Sequence, residues 1–430
     1  MLTCYNFPMI DIALIRKDPA GVAKRFAKRG QTFDLTTLLE LDEKKRKLQT
    51  QVETKKAQRN RASEEIAAMK KAKASESEIS TAISKMKKLG DEIAKEDTLL
   101  NELETKLFDI VAALPNLTSD DVQPGGKESN KVVKTFGKKP EFKFTPKDHV
   151  ELCTANGLLD YERAAKISGA GTWMYTGPGA QLEWALLNYF VDFHTKNGYT
   201  FILPPHLLNY ESGFAAGQFP KFREDVFVLE NDKEKNLKFL LPTSETALIN
   251  MHRTEVINED KLPLKYFSYT PCYRKEAGGY GASERGMIRG HQFNKIEMFI
   301  FCNPEDSSKY LDELVRNGEK LVEGLGLHYQ TVALAAGDIG AAMAKTYDIE
   351  LYIPSMGGYK ECSSCSNAWD YQARRANIKV RTENGTEFLH TLNASGLATS
   401  RLVPAIVEQF QKADGTFEIP EVLKKYMYTR

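Results

Sequence analysis

The chain has no apolar run long enough to cross a bilayer, and no charged segment followed by an apolar core at its amino end, so neither a membrane span nor a secretory leader is expected. Its six cysteines are too few for a disulfide framework in 430 residues. Only Cys362 and Cys365 have a C-x-x-C spacing, with no second pair to complete a zinc site. The expected compartment is the cytoplasm. An excess of one charge is also missing: 59 basic residues against 58 acidic ones leave +1, so any nucleic-acid binding must come from charge segregated locally. What is present is 42% hydrophobic residues, over a length that holds two or three domains.

A second set of absences is local. From Leu35 to Leu114 there is no proline, no aromatic residue before Phe108 and only one glycine, Gly90. That composition predicts long helices. Leu41, Leu48, Val52, Ala62, Ile66 and Met69 recur at alternating spacings, interrupted by Lys45, Lys55 and Arg59; Ile79, Ile83, Met86, Ile93, Leu100, Leu107, Val111 and Leu114 do the same around Gly90, Asp97 and Glu104. The stretch from Ala74 to Glu78 breaks the pattern, which predicts an antiparallel pair with Lys55 and Arg59 near the level of Gly90 and Asp97. Each helix would be roughly 50 Å long, more than a globular core needs. Bases crowd the first helix at Lys44, Lys45, Arg46, Lys47, Lys55, Lys56, Arg59 and Arg61, and acids crowd the end of the second. A spacer or dimerising coiled coil fits this pattern, and so does an arm for a nucleic-acid backbone.

Elsewhere the order is that of a mixed α and β chain. Met1 to Pro8 is an irregular prefix, with Met9 a candidate start, and Asp18 before Pro19 predicts a helix start. Pro115 ends the second long helix, Thr118 to Pro146 with Pro124, Gly125 and Gly126 predicts a linker, and a second domain is expected from Lys147. Ala180 to Lys196 has helical spacing. Pro204 and Pro205 place the following strand at a sheet edge or subunit interface. A hairpin is expected with its turn at Asn231 to Asn236. Thr243-Ser244-Glu245 then leads into a helix expected over Ala247 to Val256, and capping alone would explain the threonine and serine.

Tyr266 to Phe301 predicts a hairpin. Period-two alternation puts Arg274 and Glu276 on one face of its first strand, and separates Phe293, Lys295 and Glu297 from Ile296, Met298 and Ile300 on the second. A face with that many charges is not collected for packing. The loop between, with Gly278, Gly279, Gly281, Gly286 and Gly290 beside Arg285 and Arg289, suits a close approach to phosphates. Near the carboxyl end Arg401 starts a helix with Pro404 expected in its first turn, a cation placed against the helix dipole and therefore a candidate phosphate ligand.

In order, the strand ending at Pro205, Tyr273-Arg274-Lys275-Glu276, Glu361-Cys362-Ser363-Ser364 and Gly396-Leu397-Ala398-Thr399-Ser400-Arg401 resemble the three signature motifs of class II aminoacyl-tRNA synthetases. With the helical hairpin and the TSE, HQFNKIE and DYQARRAN stretches, the whole chain from Met9 resembles the seryl-tRNA synthetase family. The resemblance implies an α+β fold: a tRNA-binding domain over residues 1–114 with an antiparallel helical arm, a linker over 115–146, and a catalytic domain over 147–430 built on a mainly antiparallel sheet flanked by helices. It implies ATP and Mg2+ as cofactors, and L-serine and tRNA(Ser) as partners, with tRNA(Sec) as a further acceptor. It also implies a homodimer through the Pro205 region and no membrane partner. Arg274, Glu361 and Arg401 would be the catalytic set. The ATP site would comprise Arg274, Lys275, Glu276, Phe293, Glu361, Cys362, Ser363, Ser364 and Arg401, with Phe293 stacking on adenine, Glu276 reading its amino group and Arg401 on the γ-phosphate. Glu361 and Ser364 would hold Mg2+. Thr243, Ser244, Glu245, Arg274, Glu297 and Ser395 would bind serine, and Lys55, Arg59 and Arg61 the tRNA. The family pattern is departed from at four places: Ala282-Ser283-Glu284 stands for Arg-Asp-Thr, Gly171 for an arginine, Ser400 for a glycine that leaves the ATP tail more room, and Ala394 for another glycine. Other readings are an amino-acid ligase serving a carrier protein and a non-charging RNA-binding paralogue.

Overall fold

The computed structural model describes residues 10–229, 237–276 and 286–427. Met9, the expected turn at 231–236, Gly278, Gly279, Gly281, Ala282, Ser283, Glu284 and Arg285 lie outside them. Two compact units result, one of residues up to Lys24 with Thr32–Leu114, the other of Arg25–Gln31 with all that follows Pro115.

The first unit is dominated by α1 (Leu35–Lys71) and α2 (Glu76–Ala113). At 1.5 Å per residue each is about 55 Å long. Asp34 caps α1 through the Thr37 N–H, and Ser75 starts α2 in a reciprocal pair with Glu78, so the expected break closes in a tight turn. Leu48, Val52 and Ile66 are buried along one helix, and Ile93, Leu107 and Val111 along the other. Between these apolar levels the helices are joined by charge: Lys55 Nζ lies 2.8 Å from both Glu92 and Glu96, Lys56 lies 2.9 Å from Asp97, and Lys45 lies 3.4 Å from Glu104. This register makes the pair antiparallel. Within it the Lys55 ammonium is engaged by two carboxylates across the seam, whereas Arg59 and Arg61 are exposed.

The second unit is built on one eight-stranded sheet. In chain order the strands are β1 (Lys131–Phe136), β2 (Thr200–Ile202), β3 (Leu264–Tyr273), β4 (Gln292–Cys302), β5 (Tyr329–Ala333), β6 (Lys345–Ile353), β7 (Gly358–Trp369) and β8 (His390–Ala398). Their spatial order is β1-β5-β6-β7-β8-β4-β3-β2, antiparallel throughout except for the parallel pair of β2 and β3. Helices α3 (Gly177–Lys196), α4 (Ser307–Gly324) and α5 (Thr399–Gln409) pack on one face, where Ile296, Met298 and Ile300 of β4 meet Leu186, Phe190, Leu314 and Ile406. By alternation Lys295 and Glu297 point to the other face.

Four local expectations change. The stretch read as linker over 115–146 contributes β1, the edge strand paired with β5, because its Val132 and Val133 run supplies a ladder that β5 would otherwise leave open. The helix expected over Ala247 to Val256 ends early, as Glu245–Leu248 and a 3-10 turn Ile249–His252, since Val256–Asn258 pairs instead with Lys379–Arg381. Arg274 and Glu276 do not alternate along a strand but follow the end of β3, with Glu276 at φ +50°. Pro404 lies inside α5 rather than in its first turn, because the helix starts at Thr399 directly out of β8.

Candidate active site

The open face of the sheet carries a cleft of about 550 Å3. Strand pairing assembles it. Glu297 stands opposite Ser395 across β4 and β8, Asp348 opposite Ser364 and Glu350 opposite Glu361 across β6 and β7, and α5 brings in Arg401. Thr243, Glu245, Arg274, Glu276, Glu297, Ser395, Glu361, Ser364 and Arg401 all line the cleft. Phe293 and Cys362 line an adjoining recess shared with Arg274 and Arg401.

Around Glu297 the polar groups are tightly matched. Lys295 is 5% exposed, and its ammonium sits 2.6 Å from Glu297 Oε2 and donates to Thr243 Oγ1 at 2.7 Å. Thr243 is therefore held toward the cleft, and its bond to the Glu245 N–H, at 3.4 Å, is the weaker one. Asn393 Nδ2 donates to Glu297 Oε1 at 3.1 Å and to Glu245 Oε2 at 3.3 Å, so one amide spans two buried carboxylates. Burial, then the nearby Glu297, push Glu245 up to about 7. Ser395 Oγ lies 3.4 Å from Glu297 Oε2, and Ser363, fully buried, donates its hydroxyl to the Ser395 carbonyl at 2.6 Å. Ser363 thus acts on this region through the backbone.

Arg274 donates Nε–H to the Pro242 carbonyl at 3.2 Å, and its guanidinium carbon lies 5.2 Å from the centre of the Phe293 ring. Glu276 is paired with Arg289. At the opposite end Asp348 is 9% exposed and its Oδ1 has no hydrogen-bond partner; burial and the Glu361 carboxylate push it well above the usual carboxylate range. Among the described residues no group of three or more His, Cys, Asp or Glu side chains is disposed to hold a metal ion unaided. Lys275, Ser244 and Ser363 do not line the cleft: the Lys275 N–H bonds to the Asp225 carbonyl, and Ser244 is buried at the start of Glu245–Leu248. Of the departures, Ser400 lines the recess beside Arg401, Ala394 is buried in β8, and Gly171 has φ +75°, where an arginine would be strained.

Residues 9–118 match the Seryl-tRNA synthetase N-terminal domain, and residues 227–410 match the tRNA synthetase class II core domain (G, H, P, S and T). A serine--tRNA ligase 2 of Clostridium acetobutylicum is 54% identical over 97% of the chain and 99% of its own length. The chain belongs to the seryl-tRNA synthetase family. A serine--tRNA ligase of Thermodesulfovibrio yellowstonii is 44% identical over 97% and 99% of the two chains. The crystal structure of seryl-tRNA synthetase from Pyrococcus horikoshii complexed with ATP superposes with a TM-score of 0.89 at 32% identity, covering 97% of this chain and 98% of that one. For this seryl-tRNA synthetase family member, the sequence places Lys295 on the site face as a candidate partner of Glu297, which the structure bears out, and gives no individual role to Asn393, Gln372 or Asp348. Asn393 carried a signal, two positions before Ser395 on one strand and so on the same face. Gln372 lies in the DYQARRAN stretch, which marks the family but not the contact with Glu245, and Asp348 carried no signal, because only the folded chain brings the two to the site.

Proposed function

We propose that this chain is a serine--tRNA ligase, which activates L-serine with ATP to seryl-adenylate and transfers the seryl group to the 3′ end of tRNA(Ser), in the cytoplasm and as a homodimer. The observation that carries the reading is the meeting of two chemistries in one cleft, buried polar groups suited to a small hydroxylated amino acid and the cations Arg274 and Arg401, suited to a polyphosphate. The serine carboxylate is ionised at pH 7, so its oxygen attacks the α-phosphorus without a general base, and pyrophosphate leaves with the bonding electrons. What the protein must supply is alignment and charge neutralisation. Arg274 lies between the amino-acid end and the Phe293 recess, where it meets both the α-phosphate and the serine carboxylate. Arg401, in the first turn of α5, takes the γ-phosphate end, and Glu276 with its Arg289 partner borders the adenine recess.

Glu245, Glu297 and the hydroxyl-bearing Thr243 and Ser395 give the ammonium and side-chain hydroxyl of serine their partners. Alanine would leave these acceptors unpaired, which discriminates more strongly than a missing methylene. The oxygen donors at Glu361 and Ser364 fit magnesium, and the unpartnered Asp348 oxygen beside them fits a nearby cation or its water, since Mg2+ usually takes one or two carboxylates and completes its shell with phosphate and water. When bound, Mg2+ would neutralise the phosphate charge. The arm, with Arg59 and Arg61 exposed on α1, supports tRNA as the acceptor rather than a carrier protein. Edge strand β2, with Phe201 41% and Leu203 70% exposed before the two prolines, supports dimerisation at that edge.

The deciding experiment is amino-acid-dependent ATP/pyrophosphate exchange across the twenty amino acids, followed by charging of tRNA(Ser). Exchange with serine far above the other nineteen is the expected result. Exchange with a different amino acid, or none in a folded protein, overturns the reading.

A further inference from the structure

We propose that Gln372 is a positioning residue for Glu245, its amide holding that carboxylate turned into the cleft as an acceptor for the amino acid's polar groups. The proposal rests on the serine-activating reading of the site. Gln372 lies in the short helix Tyr371–Ala376 and is fully buried, where a polar amide costs free energy unless it is fully used. Here it is. Nε2 donates to Glu245 Oε1 at 2.7 Å and to the Ala216 carbonyl at 3.1 Å, and Oε1 accepts from the Thr391 hydroxyl at 2.8 Å. Because the Ala216 carbonyl can only accept, the NH2 end must lie on that side, which fixes the orientation of the amide.

Thr391 is two residues before Asn393 on β8, so both point to the same face, and Asn393 Nδ2 holds the other oxygen of Glu245 at 3.3 Å. Two amides from different elements thus grip one carboxylate, one on each oxygen. Asn393 lines the cleft and Gln372 does not, so Gln372 acts on the amino acid only through Glu245.

The arrangement also sets a charge state. Burial and then Glu297 raise Glu245, the Gln372 bond, Lys295 and Arg274 lower it, and the balance stands at about 7. Removing the Gln372 donor raises it further. More of the carboxylate is then protonated at pH 7 than in the wild type, and its charge is recovered at more alkaline pH.

The test uses the full-length protein with Gln372→Met, which keeps the side-chain length and removes the amide. Serine-dependent exchange is measured from pH 6.5 to 9, with thermal melting as the check on folding. At pH 7 the KM for serine should rise about tenfold or more, as for a lost hydrogen bond to a charged group. It should return toward the wild-type value at pH 9, with the KM for ATP unchanged throughout. In a Glu245→Gln background the same substitution should add almost nothing, because the two act as one unit. A rise in KM that is the same at every pH, or equal losses for serine and ATP, would show that Gln372 only braces the fold.

If Gln372→Met fails to fold, Thr391→Val removes the hydroxyl that anchors the amide and must give the same pH signature, or the proposal is wrong. If the wild-type protein exchanges no serine, the functional reading fails separately. The positioning claim is then decided by infrared difference titration against Glu245→Gln, in which Gln372→Met must raise the Glu245 midpoint.

Discussion

Arg274 shows most clearly how a single residue is placed by its surroundings. Its Nε–H is spent on the Pro242 carbonyl and its plane lies near Phe293, so the rest of the guanidinium is presented to the cleft without needing substrate to order it. Such preorganised charge is worth most where charge develops in the transition state. Arg274→Ala should therefore lower serine-dependent exchange by about a hundredfold to a thousandfold or more while the melting temperature stays close to that of the wild type. Near-normal exchange in the folded variant would place the reacting phosphate elsewhere. The residue types of this site were legible because charged and polar groups on a buried strand face have no packing reason to be there. Their pairings were not, since Lys295 with Thr243, or Gln372 with Glu245, joins residues far apart in the chain.

At the scale of the element, the arm separates two kinds of basic residue that look alike in the sequence. Lys55 neutralises Glu92 and Glu96 inside the seam, whereas Arg59 and Arg61 face solvent one turn further along α1. Affinity for tRNA should fall steeply with salt, and substituting Arg59 or Arg61 should shallow that slope by about one unit per lost phosphate contact, while Lys55→Ala should leave it nearly unchanged. Replacing Leu41 to Leu114 by a short flexible linker should preserve serine-dependent exchange and collapse charging of tRNA. Undiminished charging by the armless protein would make the hairpin a spacer. Both long helices were readable, since period and composition are local properties. The early end of the helix after Glu245 was not, because Val256–Asn258 is drawn into a strand by Lys379–Arg381, more than a hundred residues away.

For the molecule as a whole, assembly turns on the β2 edge. Phe201 and Leu203 expose apolar surface there beside an unpaired strand edge, which a soluble protein ordinarily covers. Leu203→Glu should convert a dimer in sedimentation velocity into a monomer, with exchange activity falling in parallel; a wild-type monomer that is fully active would remove the dimer from the proposal. By itself the sequence determined the α+β class, the paired helices of the arm, the order of the signature motifs and the chemical types of the site residues, because periodicity, proline and glycine placement and charge against burial act over neighbouring positions. Only the tertiary structure decided that the stretch read as linker contributes strand β1, that Asp348 stands beside Ser364, that Asn393 and Gln372 hold Glu245 between them, and that Lys55 is engaged within the arm. Each of these depends on which distant segment becomes a neighbour, and in an antiparallel sheet that is set by strand order and register, which no local pattern specifies.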